Sequence, residues 1–217
     1  MINIAIDGPS GAGKSTVAKS IAKILKIIYL DTGAMYRGIA WIALEKGIDP
    51  NDEKAVIKML PDAKIEIVYL DGEQKVIANS LDVTSKIREH HMSKAASDIS
   101  RIPDVRIKLV DLQREIASKN DIIMDGRDTT SYVLPFAKYK FYLTAKAEER
   151  ATRRQIELKE KGIEIDYNQL LSDINVRDKN DSERKFAPLT QTKDSILIDS
   201  TDMTKEEVVS KILSYII

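Results

Sequence analysis

The 217-residue chain contains no cysteine, which excludes disulfides, thiolate zinc sites and cysteine nucleophiles. It also lacks any excess of one charge, since 34 Lys+Arg against 34 Asp+Glu give a formal net charge of zero. That balance argues against a nucleic-acid polymer as partner and excludes an acidic tail. No apolar run approaches the length of a bilayer span, and Met1-Ile2-Asn3-Ile4 opens the chain without a basic segment leading into an apolar one. Internal repeats and low-complexity segments are missing too. We therefore expect a soluble, unprocessed, cytoplasmic protein that works without a membrane, and we take it to act as a monomer.

What is present is ordinary globular composition, 43% hydrophobic and 31% charged. A chain of this length buries about 70% of the surface it would expose unfolded, enough for a core without external staples. Ile2, Ile4 and Ile6 alternate into Asp7, and Ile27-Ile28-Tyr29-Leu30, Ile122-Ile123-Met124, Phe141-Tyr142-Leu143 and Ile196-Leu197-Ile198 are short apolar runs. Each reads as a strand buried on both faces. Helical spacing joins Val17, Ile21, Ala22 and Leu25, and again Val208, Val209, Ile212, Leu213 and Ile216, the latter group behind a Thr204/Glu207 capping box. Strands alternating with helices imply βαβ crossovers, so the fold class is α/β, a three-layer doubly wound parallel sheet.

A different period runs from Lys64 to Ala78, where residues alternate around an Asp71-Gly72 turn and predict an antiparallel hairpin. We place a small inserted subdomain at 62–100, between core segments 1–61 and 101–217. The charge-dense stretch from Arg150 to Arg184, broken at Gly162 and Asp166, predicts two helices. Residues 150–186 read as a helical lid.

Gly8-Pro9-Ser10-Gly11-Ala12-Gly13-Lys14-Ser15 matches G-x-x-x-x-G-K-[ST], with a strand before it and a helix after it. Such a loop turns backbone N–H groups and a helix N-terminus onto phosphate oxygens. Lys14 suits the β- and γ-phosphates, and the Ser15 hydroxyl suits Mg²⁺. Asp125, at the end of an apolar strand, either holds Mg²⁺ through water or caps the next turn in solvent. Neither N-K-x-D nor D-x-x-G accompanies the loop, which excludes a switch GTPase.

Asp31-Thr32-Gly33-Ala34-Met35-Tyr36-Arg37 follows the second strand, so Thr32 starts a helix and Arg37, about a turn in, points back toward the sheet edge. Gly126-Arg127-Asp128 leaves another strand at the same edge. Arg37 and Arg127 would together clamp a second phosphate; the alternative for either alone is a surface salt bridge. His90-His91 lacks further metal ligands and reads as helix surface, Trp41 as core, and Lys58, Lys64 and Lys75 as a solvated face.

Taken together, Ile6 to Lys14, Leu30 to Arg37, Met124 to Asp128, Arg177-Asp178-Lys179-Asn180-Asp181-Ser182-Glu183-Arg184, Ala187-Pro188-Leu189 and the hairpin insert resemble the bacterial cytidylate kinases over essentially the whole chain. The resemblance implies an ATP-dependent nucleoside monophosphate kinase that passes the γ-phosphoryl group to CMP or dCMP. It implies that Gly8 to Thr16 hold ATP, with Mg²⁺ at Ser15, and that Arg37 and Arg127 hold the CMP phosphate. Ser97, Arg106, Asp128, Arg184 and Thr32 would surround the cytosine, and Arg177 and Asp181 would face the ribose or the phosphates. Lys14, Arg127, Arg177 and Arg184 would neutralise the charge of the transferred group. Cytosine offers an N4 donor beside two acceptors, so an Asp128 carboxylate facing N4 would reject the carbonyl of uracil. Alternative readings are a kinase for UMP or another small anionic acceptor, and a nucleotide-binding regulator without transferase activity. One departure stands out: the family commonly has Ile-Gly-Thr where this chain has Thr129-Thr130-Ser131. A β-branched Thr130 in place of glycine is expected to fit that backbone poorly and to alter substrate preference or turnover.

Overall fold

A computed structural model of the chain describes residues 1–217 apart from Asp71, Lys161 and the side chain of His90. The elements in chain order are β1 (Asn3–Asp7), α1 (Lys14–Leu25), β2 (Ile28–Asp31), α2 (Thr32–Glu45), α3 (Glu53–Met59), β3 (Ile65–Leu70), β4 (Glu73–Ala78), β5 (Leu81–Asp82), α4 (His90–Ile99) and α5 (Pro103–Ala117). They continue with β6 (Ile122–Gly126), a π-helical turn (Thr129–Val133), β7 (Tyr139–Thr144), α6 (Ala147–Glu160), α7 (Tyr167–Glu183), β8 (Ile196–Asp199) and α8 (Lys205–Leu213). The chain divides into two compact units, one built from 1–27 and 121–217 and the other from 28–120.

In the first unit the strands lie in the order β6-β1-β7-β8, all parallel. Every residue of β6 is buried, as are Ile4 to Asp7 of β1, because helices flank a parallel sheet and leave its inner strands no solvent face. β8 departs from the expectation of burial on both faces: Leu197 is half exposed, because its strand ends the sheet order. The Thr204/Glu207 capping box forms as predicted and starts α8. The break near Gly162 separates α6 from α7, and the Asp166 carboxylate caps α7 by accepting from the Gln169 N–H.

In the second unit β3 and β4 form the predicted antiparallel hairpin, with Ile65 opposite Ala78 and Leu70 opposite Glu73, and β5 adds a third antiparallel strand beyond it. Gly72 adopts φ +78°, and Asp71 of the predicted turn lies outside the described residues. Trp41 is buried with the Lys86 ammonium 5.3 Å from its ring, and His91 is exposed. His90 of the pair considered for metal has its side chain outside the described residues.

Candidate active site

The segment between β1 and α1 is shaped by glycines. Gly8 has φ +149°, and a Cβ there would stand 1.9 Å from the Leu143 carbonyl oxygen, so only glycine lets the loop leave β1 against β7. Gly13, at φ +84°, precedes the first turn of α1, so the helix begins at Lys14 with its N–H groups toward the loop. Lys14 is buried, and its ammonium donates to the Pro9 carbonyl at 2.7 Å. Burial foremost, and then the Arg127 guanidinium, push the Lys14 amine well below the ordinary lysine range. Ser15 donates its hydroxyl to Asp125 at 2.8 Å, and Asp125 is buried, so the solvated turn-capping reading of that carboxylate does not hold.

The loop is braced from α6 and α7. Arg150 is buried and donates to the Ala145 and Ser10 carbonyls, each at 2.8 Å, while pairing with Asp178 at 2.6 Å. Asp178 in turn accepts the Ser10 N–H at 3.1 Å. Sequence reasoning gave neither residue a task of its own, since nothing local to α6 or α7 shows that the two meet at Ser10. Arg153 holds the Ser200 carbonyl at 2.7 Å, and Arg154 makes an exposed pair with Glu157.

Beyond β6 the chain places charge at close quarters. Arg127 donates from Nε to Asp181 at 2.7 Å. Burial works against the charged guanidinium, yet the facing Asp181 carboxylate outweighs it and raises the Arg127 pKa. Burial likewise opposes ionised Asp181, but Arg127, Arg177 and Arg184 together hold its carboxyl below the usual range. Arg184 reaches Asp128 at 3.5 Å and Asp181 at 3.9 Å, all three side chains being less than one-tenth exposed. Its Nε donates to the Ala187 carbonyl at 2.6 Å, and Ala187 holds a left-handed φ of +48° to present that oxygen. The first unit thus gathers Lys14, Ser15, Asp125, Arg127, Asp128, Arg177, Asp181 and Arg184 around the loop and the strand that follows it in the sheet.

Thr130 departs from its expected strain. It is absent from the non-glycine residues with positive φ, and its N–H and hydroxyl both donate to Asp7 at 2.6 Å.

The second unit positions the remaining residues. Asp31 caps α2 by accepting the Ala34 N–H at 2.8 Å, and Thr32 is buried in the first turn. Arg37 does point back toward the helix start, donating Nη2 to Asp31 at 2.8 Å. Gln74 of β4 fastens the same spot, accepting the Asp31 N–H at 2.7 Å. Arg106 is fully buried, its guanidinium 5.2 Å from the Tyr36 ring centre and Nη1 donating to the Ser100 carbonyl. Ser97 is partly buried on α4 and accepts the Ser100 hydroxyl at its carbonyl.

A phosphate loop that closes on lysine and serine, at the end of a parallel strand beside buried arginines, defines a P-loop kinase. Solved structures agree on the fold: shikimate kinase from Bacteroides thetaiotaomicron aligns with a TM-score of 0.50 at 12% identity over 99% of this chain and 98% of that one. A gluconokinase from Sinorhizobium meliloti 1021 aligns with a TM-score of 0.50 at 14% identity, covering 98% and 90%. The family model described as cytidylate kinase matches residues 4–217, and the chain belongs to that family. Among relatives named cytidylate kinase, that of Caldicellulosiruptor bescii is 51% identical over 98% of this chain and 94% of its own length. That of Lactobacillus johnsonii is 46% identical over 100% and 94%.

Proposed function

We propose that the protein transfers the γ-phosphoryl group of ATP to a phosphate oxygen of CMP or dCMP, giving ADP and CDP or dCDP. The observation that carries this reading is the gathering in the first unit of Lys14, the Ser15–Asp125 pair and the Arg127–Asp181–Arg184 cluster beside the phosphate loop. Arginine and lysine side chains preorganised beside a phosphate loop suit phosphate oxygens, so the arrangement favours anionic partners. Family membership supplies the nucleotide.

In this reading the Gly8 to Thr16 loop holds the ATP phosphates, with Lys14 at the transferred group. Arg127 and Arg37 hold the acceptor phosphate, and Arg177 and Arg184 approach the same charge as α6 and α7 close. Asp128, Arg184, Arg106, Ser97 and Thr32 read the cytosine, and Asp181 both orients Arg127 and faces the ribose or the phosphates. The acceptor phosphate is already ionised, so no general base is required and catalysis is positioning plus charge neutralisation. Ser15 and Asp125 form a hydroxyl–carboxylate pair of hard oxygen donors that fits Mg²⁺. When bound there, Mg²⁺ neutralises charge on the β- and γ-phosphates. The absence of cysteine fits a reducing, cytoplasmic setting, and the zero net charge fits free nucleotides rather than a polyanion as partners.

The test is a coupled ADP-release assay with ATP and Mg²⁺ across CMP, dCMP, UMP and AMP. CMP and dCMP are expected to give the highest kcat/KM; UMP as the best acceptor, or no turnover with nucleotides that bind, would overturn the reading.

A further inference from the structure

We infer that Thr130 is a positioning residue that fixes the acceptor-reading pair Arg127-Asp128 by clamping the far end of their segment onto Asp7. The inference rests on the proposed role of that pair. Asp7 ends β1 and is fully buried. Its register partner across the parallel ladder is Gly126, the residue just before Arg127. Its carboxylate then takes hold of the chain again just after Asp128, accepting the Thr129 N–H at 2.8 Å and the Thr130 N–H at 2.6 Å. Arg127 and Asp128 therefore span two anchors on a single residue.

The Thr130 hydroxyl is the third donor to that carboxylate, at 2.6 Å on the same oxygen as its own N–H. A buried carboxylate needs all the donors it can hold, because burial disfavours its charge. The two backbone donors belong to the first turn of the π-helical segment, so Asp7 caps that turn from 122 and 123 residues away in sequence. The Asp128 carbonyl starts the turn by accepting from Tyr132 at 2.8 Å and Val133 at 3.0 Å. Loosening Thr130 thus releases the Asp128 backbone itself. The donor loop has a separate brace further along, where Arg150 donates to the Ser10 carbonyl at 2.8 Å.

The experiment compares wild type with Thr130→Val, which keeps the branched shape and loses the donor, and Thr130→Ser, which restores it. Wild type is measured first on CMP and UMP: failure to prefer CMP sinks the proposed function and the inference that rests on it. Given that preference, Thr130→Val is expected to raise KM for CMP and to lower the CMP:UMP ratio of kcat/KM, each by about tenfold, with KM for ATP within about twofold. Thr130→Ser is expected to lie close to wild type on all three. Equal changes in both KM values, a fall in thermal stability with an unchanged CMP:UMP ratio, or failure of serine to rescue would each overturn the inference. Should Thr130→Val not fold, Thr130→Ala is read on the same three quantities.

Discussion

The Arg127 Nε donates to the Asp181 carboxylate at 2.7 Å, joining the residue after β6 to the last turn of α7. The pair lets a helix far along the chain set the direction of a guanidinium that the proposed function aims at the acceptor phosphate. Arg127→Ala is expected to lower kcat/KM for CMP by about 100-fold or more, as removal of a preorganised charge donor does. Arg127→Ala and Asp181→Ala combined are expected to cost less than the sum of the single losses, because the residues act as one unit. Steady-state kinetics of the three variants check this, and near-wild-type turnover in Arg127→Ala removes that residue from the site.

Lys14→Met is expected to abolish transfer, by about 100-fold or more, while raising the stability of the unliganded protein. The Lys14 amine is pushed well below its ordinary range by burial and by Arg127. An amine whose folded pKa lies below its unfolded value of about 10.4 penalises folding fully below the folded pKa, and the penalty fades as pH rises from there to the unfolded value. The Tm advantage of the variant is therefore expected to shrink as pH climbs toward about 10. A Tm difference that grows with pH contradicts this assignment.

Asp178→Ala leaves Arg150 buried without its carboxylate and the Ser10 N–H without its acceptor. Breaking such a part-buried pair costs roughly 2 kcal/mol, or about 4–8 °C in Tm for a chain of this size. Calorimetry of the unliganded protein measures it; a shift under about 1 °C would mean that Arg150 finds an equivalent partner.

Gly8→Ala forces a Cβ to within 1.9 Å of the Leu143 carbonyl oxygen at a φ of +149°. The obstacle is backbone, so no side chain can move aside. ATP binding by titration calorimetry is expected to be lost, with stability lowered by more than about 3 kcal/mol.

Much of the architecture can be read from local pattern. The alternation of apolar runs with helical spacing announces the parallel sheet, and the Lys64 to Ala78 alternation announces the hairpin. Helix starts at Asp31, Asp166 and Thr204 are legible because a capping side chain and its N–H partner lie three residues apart. Leu197 is half exposed against the local pattern for a matching reason: strand composition does not tell an end strand from an inner one.

By itself the sequence determines the phosphate loop, the helix caps, the order of strands and helices along the chain, and membership of a kinase family. Its zero net charge conceals the local gathering of Lys14, Arg127, Arg177 and Arg184. Only the tertiary structure decides that Asp178 and Arg150 brace Ser10, that Asp181 aims Arg127, and that Asp7 caps a turn at Thr129 and Thr130. The physical reason is range. Capping and periodicity act over a few residues, whereas a buried charge takes whichever partner the folded path of the chain brings to it, here from 54 to 168 positions away.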